Sequence, residues 1–282
     1  MRKMITLPAN PTLAGMASLQ YDVVYSTAMG EALCGTLMEP WRTEDAALRP
    51  AIVFVQGSGW TRPGRGYEIP QLARYAQAGY VVFTIEHRSR LEGHPFPAFL
   101  QDTKCAIRFL RANAEKYLID PEHIAIFGTS SGGNTALLVA MTGDDPRYRT
   151  QEYAEYSDAV CCMVECFGPT DMNKLMEAWS AGPEAQKVSE TLRGDAPFEQ
   201  VAHDMSPLYL AQEGAKYPPM LLIHGDADTM VPYAQGEAMY ARLNEIGADA
   251  RMIRVAGAPH EHSFWSDALH RHIRAFLDCH ML

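Results

Sequence analysis

No stretch of this sequence reaches the roughly 18 consecutive apolar residues that a membrane-spanning helix needs, which excludes a bilayer span from the reading. Basic residues are in the minority. The 24 lysines and arginines against 34 aspartates and glutamates leave a formal charge of −10, which repels phosphate backbones and anionic lipid and argues against nucleic acid or a membrane surface as a partner. Six cysteines occur without a C-x-x-C pair, so the common spacing of a zinc or redox site is missing. Cys161, Cys162 and Cys166 fall together on one expected strand, where buried thiols act as small hydrophobes. The start, Met1-Arg-Lys-Met-Ile-Thr-Leu-Pro, lacks the long apolar stretch of a secretory signal, and with the cysteine usage this sets a cytoplasmic location as the expectation. Internal repeats and low-complexity tracts are absent too. What remains is an ordinary globular composition, 47% hydrophobic and 21% charged over 282 residues, long enough to bury one large core.

Short apolar runs alternate with helical patterns along this length. Tyr21 to Thr27 and Ala32 to Met38 read as two strands around a hairpin at Met29-Gly30, with Pro40 ending the second. Ala51-Ile-Val-Phe-Val and Val81-Val-Phe-Thr-Ile are almost purely apolar, as strands covered on both faces must be. Between them Tyr67 to Gly79 has helical spacing and ends on a glycine. A helix from Phe99 to Leu118 follows, closed by Asp120-Pro121 before a strand at Ile124 to Phe127. Ala159 to Phe167, Pro219 to His224 and Arg251 to Val255 complete eight strands, with helices over Tyr233 to Ile246 and Phe264 to Leu277. Such alternation implies a mainly parallel sheet with helices on both faces, an α/β fold, because parallel neighbours require crossover connections. Asp171 to Tyr217 breaks the rhythm: it is polar, helix-prone and without a strand pattern. It reads either as a small helical insert over the carboxyl edge of the sheet, with Met172, Leu175, Met176 and Trp179 on its inner face, or as one more packing helix.

The stretch that carries chemistry is Ile124-Ala-Ile-Phe-Gly-Thr-Ser-Ser-Gly-Gly-Asn, in which a strand passes abruptly into a helix at Ser130. A turn that sharp presents the serine hydroxyl at the sheet edge, and Gly128 and Gly132 supply the close approach that any side chain would block. A serine hydroxyl becomes nucleophilic only when a histidine removes its proton and a carboxylate orients that histidine. Pro219-Met-Leu-Leu-Ile-His-Gly-Asp-Ala-Asp runs from an apolar strand into an acidic turn, making Asp228 the first choice of acid. Asp226 suits the hydrogen bonding of loop amides, and Asp171 is an outside candidate. Two histidines follow the last strand. His260 is the first choice of base because it lies in the loop directly after the strand, and His262 is the alternative. The His-Glu-His run lacks further ligands at a recognised spacing, so no metal and no cofactor are expected. Backbone N–H groups of Ser58, Gly59 and Ser131 are the expected oxyanion donors. Trp60 either packs beneath that loop or lines the acyl site, and Trp179 is a candidate substrate contact from the insert. Glu165, an acid on a strand expected to be buried, has no explanation at this level.

Gln56-Gly-Ser-Gly-Trp60, Gly128-Thr-Ser-Ser-Gly132, His224-Gly-Asp-Ala-Asp228 and Gly257-Ala-Pro-His260, in that order, resemble the α/β-hydrolase superfamily over roughly residues 20 to 280. Within it the chain is similar to the carboxylesterase branch of hormone-sensitive-lipase-like esterases, small acetylxylan and feruloyl esterases, and kynurenine formamidases. The resemblance implies a mostly parallel eight-stranded sheet and one domain with a cap-like insert. It also implies Ser130 as nucleophile, Asp228 as acid, His260 as base, and an oxyanion hole from Ser58, Gly59 and Ser131. Phe96-Pro-Ala-Phe-Leu-Gln-Asp102 is similar to the segment before that branch's long helix, where the aspartate is structural. Two places differ from the branch: Gln56-Gly-Ser-Gly stands where His-Gly-Gly-Gly is usual, and Glu261-His262 stands where glycines follow the histidine. The expected activity is cleavage of small carboxylic esters, with acetyl or feruloyl esters of plant sugars in view. An amidase, formamidase or exopeptidase with the same triad, or an inactive binding protein on the same fold, are the alternatives. Either an edge strand or the insert could carry a homodimer contact.

Overall fold

Along Ala51-Ile-Val-Phe-Val, Ala51, Val53 and Val55 face one apolar core while Ile52 and Phe54 face another, the period of two that a sheet buried on both sides imposes. In the computed structural model, which describes residues 4–27, 30–43, 47–180 and 182–282, this strand lies inside an eight-stranded sheet. The strands are β1 (Ala17–Ser26), β2 (Leu33–Pro40), β3 (Arg49–Val55), β4 (Val81–Ile85), β5 (Ile119–Thr129), β6 (Met163–Cys166), β7 (Met220–Gly225) and β8 (Ala250–Val255). The helices are α1 (Ile69–Gln77), α2 (Ala98–Ala112), α3 (Ala114–Tyr117), α4 (Ser131–Met141), α5 (Met172–Ala178), α6 (Pro183–Arg193), α7 (Phe198–Asp204), α8 (Pro207–Leu210), α9 (Ala234–Glu245) and α10 (Asp267–Met281).

Strand order is β1-β2-β4-β3-β5-β6-β7-β8, with β2 antiparallel to both β1 and β4 and every later neighbour parallel. This is the α/β-hydrolase fold. Helices α2, α4 and α9 bury apolar faces against one side of the sheet, and α1 and α10 cover the other. Parallel strands place all their carboxyl ends at one edge, so the loops after β3, β5, β7 and β8 converge there.

Several boundaries differ from the sequence expectation. The long helix breaks at Asn113, and Leu118 turns left-handed (φ 53°). Asp120-Pro121 lies inside β5 rather than before it, because that strand starts at Ile119. Regular pairing in β6 begins only at Met163, so Cys161 and Cys162 precede it. Met29, at the expected hairpin, lies outside the described residues; the strands flanking it pair antiparallel. The 171–217 segment folds as the four helices α5 to α8. Asp102, buried in α2, receives the Arg88 guanidinium at 2.8 Å and the Arg88 backbone N–H at 2.8 Å, which moors the loop after β4.

Candidate active site

The chain reverses between β5 and α4 within one residue. Ser130 takes φ 53° and ψ −122°, a conformation costly for a residue with a side chain, and its neighbours hold it there. A Cβ on Gly128 would lie 2.0 Å from the Gly132 carbonyl oxygen, and one on Gly132 would lie 2.0 Å from that of Val55. Only glycine lets the helix start so close to both strands. The Ser130 N–H donates to the Cys166 carbonyl at 2.9 Å, and the Thr129 hydroxyl accepts from the Gly57 N–H at 2.9 Å, tying the loop after β3 to the turn.

His260, in the loop after β8, reaches both partners expected for it. Its Nε2 is 2.9 Å from Ser130 Oγ, and its Nδ1 is 2.7 Å from Asp228 Oδ2. The other carboxylate oxygen of Asp228 accepts the backbone N–H groups of Met230 (2.8 Å) and Val231 (2.9 Å). His224 Nε2 stands 3.5 Å from Asp228 Oδ2 and 2.9 Å from the Val231 carbonyl. Burial by itself would raise the Asp228 carboxyl, but the hydrogen bonds from His224 and His260 and the Val231 amide outweigh it and hold the group well below the usual carboxylate range. Asp228 therefore remains ionised at neutral pH, the state needed to stabilise an imidazolium. Phe167 backs the imidazole, its ring centroid 4.5 Å from that of His260.

His262 is exposed and makes no side-chain contact with Ser130 or Asp228 among the described residues. Asp226 is exposed and accepts the Gly257 N–H at 2.6 Å, anchoring the loop that carries His260. Asp171 caps α5 through the Lys174 N–H and accepts the Tyr209 hydroxyl at 2.7 Å. The structure thus brings Ser130, Asp228 and His260 together and leaves His262, Asp226 and Asp171 apart. Ser58 departs from its expected role as an amide donor: its N–H already donates to Ser131 Oγ at 2.9 Å, because the Ser131 side chain at the helix start points back into the loop. The N–H groups of Gly59 and Ser131 have no acceptor among the described residues. Trp60 is buried, with Nε1 3.3 Å from Asn134 Oδ1, and also borders a cavity of about 650 Å³ beside the loop. Trp179, at the end of α5, walls the same cavity and donates from Nε1 to the Met230 carbonyl at 2.8 Å, pinning α5 to the Asp228 loop.

A strand-turn-helix serine, an imidazole bridging it to a carboxylate and two free amides at one sheet edge can perform nucleophilic acyl transfer without added groups. The BD-FAE family model matches residues 39–243. The chain belongs to the BD-FAE family. Among curated relatives of this BD-FAE chain, Esterase LipC of Mycobacterium tuberculosis is 31% identical over 237 residues, covering 79% of this chain and 56% of the relative. The chain spans about half the length of the curated relatives it matches, 56%, 49% and 53% for three mycobacterial proteins. A truncated carbohydrate esterase from gut microbiota superposes with TM-score 0.78 at 27% identity, covering 94% of this chain and 96% of that one. A bifunctional GH43-CE protein of Bacteroides eggerthii superposes with TM-score 0.76 at 27% identity, covering 93% and 38%.

Two contributors to this BD-FAE site were not singled out from the sequence. His224 and Phe167 each read only as the last residue of a strand; only the convergence of loops puts them against Asp228 and His260. Glu165, one strand away on β6, accepts the Gly168 N–H at 2.8 Å through Oε2, while buried Oε1 has no hydrogen-bond partner among the described residues. Burial pushes its carboxyl up from 4.5 to about 7, with His224 and the Gly168 amide opposing. A raised carboxyl is neutral in the folded protein but ionised in the unfolded chain between these values. Its contribution to stability therefore falls as pH rises from 4.5 to about 7, and the loss is complete above that. Glu68, raised by burial to about 7, acts in the same sense. Glu165→Gln should accordingly gain stability relative to the parent between pH 5 and pH 8, by on the order of 1–3 kcal/mol. Denaturant titrations of both proteins at the two pH values check this; an unchanged difference between them would remove Glu165 from the pH dependence.

Proposed function

We propose that this chain is a serine carboxylesterase that cleaves small carboxylic esters through an acyl-enzyme. The observation that carries the reading is the continuous relay Ser130 Oγ–His260 Nε2 at 2.9 Å and His260 Nδ1–Asp228 Oδ2 at 2.7 Å, and the loops that adjoin it, at Ser58-Gly59 and Thr229-Met230, line a cavity of about 650 Å³. In this mechanism His260 takes the Ser130 proton as Oγ attacks the ester carbonyl, and the oxyanion settles on the Gly59 and Ser131 N–H groups. His260 then protonates the departing alcohol. Water repeats the sequence to release the acid, with Asp228 ionised throughout. Each amide donor is worth about 10²–10³ in rate. Ser58 holds the loop through Ser131 Oγ instead of binding the oxyanion itself.

Acetyl or feruloyl esters of sugars are the proposed natural substrates. The cavity, within the range that holds small-molecule ligands, and its two tryptophan walls support this, as do the family and the carbohydrate esterase likeness. The test is a panel of p-nitrophenyl esters of increasing acyl length beside acetylated and feruloylated sugars, with a fluorophosphonate probe run in parallel. We expect turnover of short esters and of at least one sugar ester, with the probe bound to Ser130. No labelling and no turnover of any ester would refute the assignment.

A further inference from the structure

Arg90 sits in the loop after β4, and the residue is 6% exposed. Its backbone N–H donates to the Trp60 carbonyl at 3.1 Å, its Nε to the Gly59 carbonyl at 2.7 Å, and its Nη1 to Thr191 Oγ1 on α6 at 2.6 Å. Both side-chain partners are neutral. A guanidinium carries five N–H donors, so three remain without an acceptor among the described residues. No carboxylate among the described residues comes within ion-pair distance; Glu184, which lines the same cavity from α6, acts on it only from further away.

A cation withdrawn from water this far is costly unless an anion meets it. Other buried cations in this protein follow that rule: Arg88 pairs with Asp102 at 2.8 Å, and Lys104 and Arg108 share Asp158 at 2.6 and 2.8 Å. Among the described residues Arg90 is the exception, and it borders the cavity together with Ser58, Gly59, Trp60 and Trp179, beside the proposed oxyanion donors. A planar guanidinium is suited to a carboxylate, which it binds through two parallel hydrogen bonds.

We propose that Arg90 is a specificity-determining residue that selects ester substrates bearing a carboxylate, held in the cavity while the ester carbonyl lies over Ser130. The inference rests on the esterase reading for its kinetics but not for its binding. The carboxylate sits either on the acyl part or on the alcohol part, and two matched pairs separate these sources. For the acyl part, p-nitrophenyl hemiglutarate is compared with p-nitrophenyl valerate; for the alcohol part, 4-acetoxybenzoate is compared with 4-acetoxybenzamide. The parent protein should favour the charged member of one pair by tenfold or more in kcat/KM at low ionic strength. Arg90→Gln should lose at least tenfold more on that member than on its neutral counterpart, with the extra loss in KM, and Arg90→Lys should recover part of it. If Arg90 only bolts the loop to α6, both members fall together and the inference is overturned. It is overturned equally if the parent shows no preference in either pair.

Calorimetry of glutarate and 4-hydroxybenzoate with Ser130→Ala, and with the same variant also carrying Arg90→Gln, reads the site without turnover. Binding that depends on Arg90 supports the inference even where no ester is cleaved, an outcome that would sink the esterase reading alone. Absence of binding by either acid, alongside normal turnover of neutral esters, sinks the Arg90 inference and leaves the esterase reading standing.

Discussion

Ser130→Ala is expected to lower kcat for a short p-nitrophenyl ester by about 10⁵ or more, with KM little changed. The size follows from what the hydroxyl does in the proposed mechanism. It forms the bond that turns one difficult displacement into two easier steps, and nothing else near the carbonyl replaces it: the Thr129 hydroxyl accepts from Gly57, and Ser131 Oγ accepts from Ser58. The amides of Gly59 and Ser131 and the cavity survive the substitution, so a residual acceleration of about 10³–10⁴ over water remains, as when a triad member is removed from other hydrolases. Alanine keeps the Cβ and the backbone of the turn, so the fold should persist, which a matched thermal transition verifies. Turnover close to that of the parent would end the serine mechanism.

His260→Ala should cost about 10⁵ to 10⁶ in kcat, comparable to loss of the nucleophile, because the residues of such a relay act as a unit. His262→Ala should leave most of the activity in place. The difference rests on position. His260 Nε2 is 2.9 Å from Ser130 Oγ, whereas the exposed His262 side chain reaches neither Ser130 nor Asp228. The two histidines are separated by one residue, Glu261, whose backbone has φ 65°, and His262 follows with φ 52°. These successive left-handed residues turn the chain away from the serine immediately after His260. Steady-state kinetics of both variants on one ester settles the order: an inactive His262→Ala beside a working His260→Ala would reverse the assignment of the base.

Those two residues mark where the sequence stops being sufficient. Both histidines stand in the same loop after the same strand, and residue type and spacing treat them almost alike. Their separation is a matter of backbone direction at Glu261 and His262, which depends on how that loop packs against Phe167, Phe264 and the Asp228 loop. The strands were more legible, because a sheet covered on both faces leaves short, nearly pure apolar runs such as Ala51 to Val55 that no surface segment imitates. Their ends were not, since Cys161-Cys162 and Ile119 to His123 join or leave the ladder according to what their neighbours offer. The Ser130 turn was legible for a local reason: Gly128 and Gly132 are required by contacts five or fewer residues apart in sequence, plus the backbone at Val55 and Gln56.

The sequence by itself determined the alternating α/β order, the strand-to-helix serine and the presence of an acid and a base downstream of it, because each depends on periodicity or on short-range geometry. Tertiary structure alone decided that His224 and Phe167 brace Asp228 and His260, that the Ser58 amide is spent on Ser131, and that Arg90 is withdrawn from water. The reason is physical: whether a polar group is paired, and how much solvent it keeps, depends on atoms brought to it by chain segments tens of residues away.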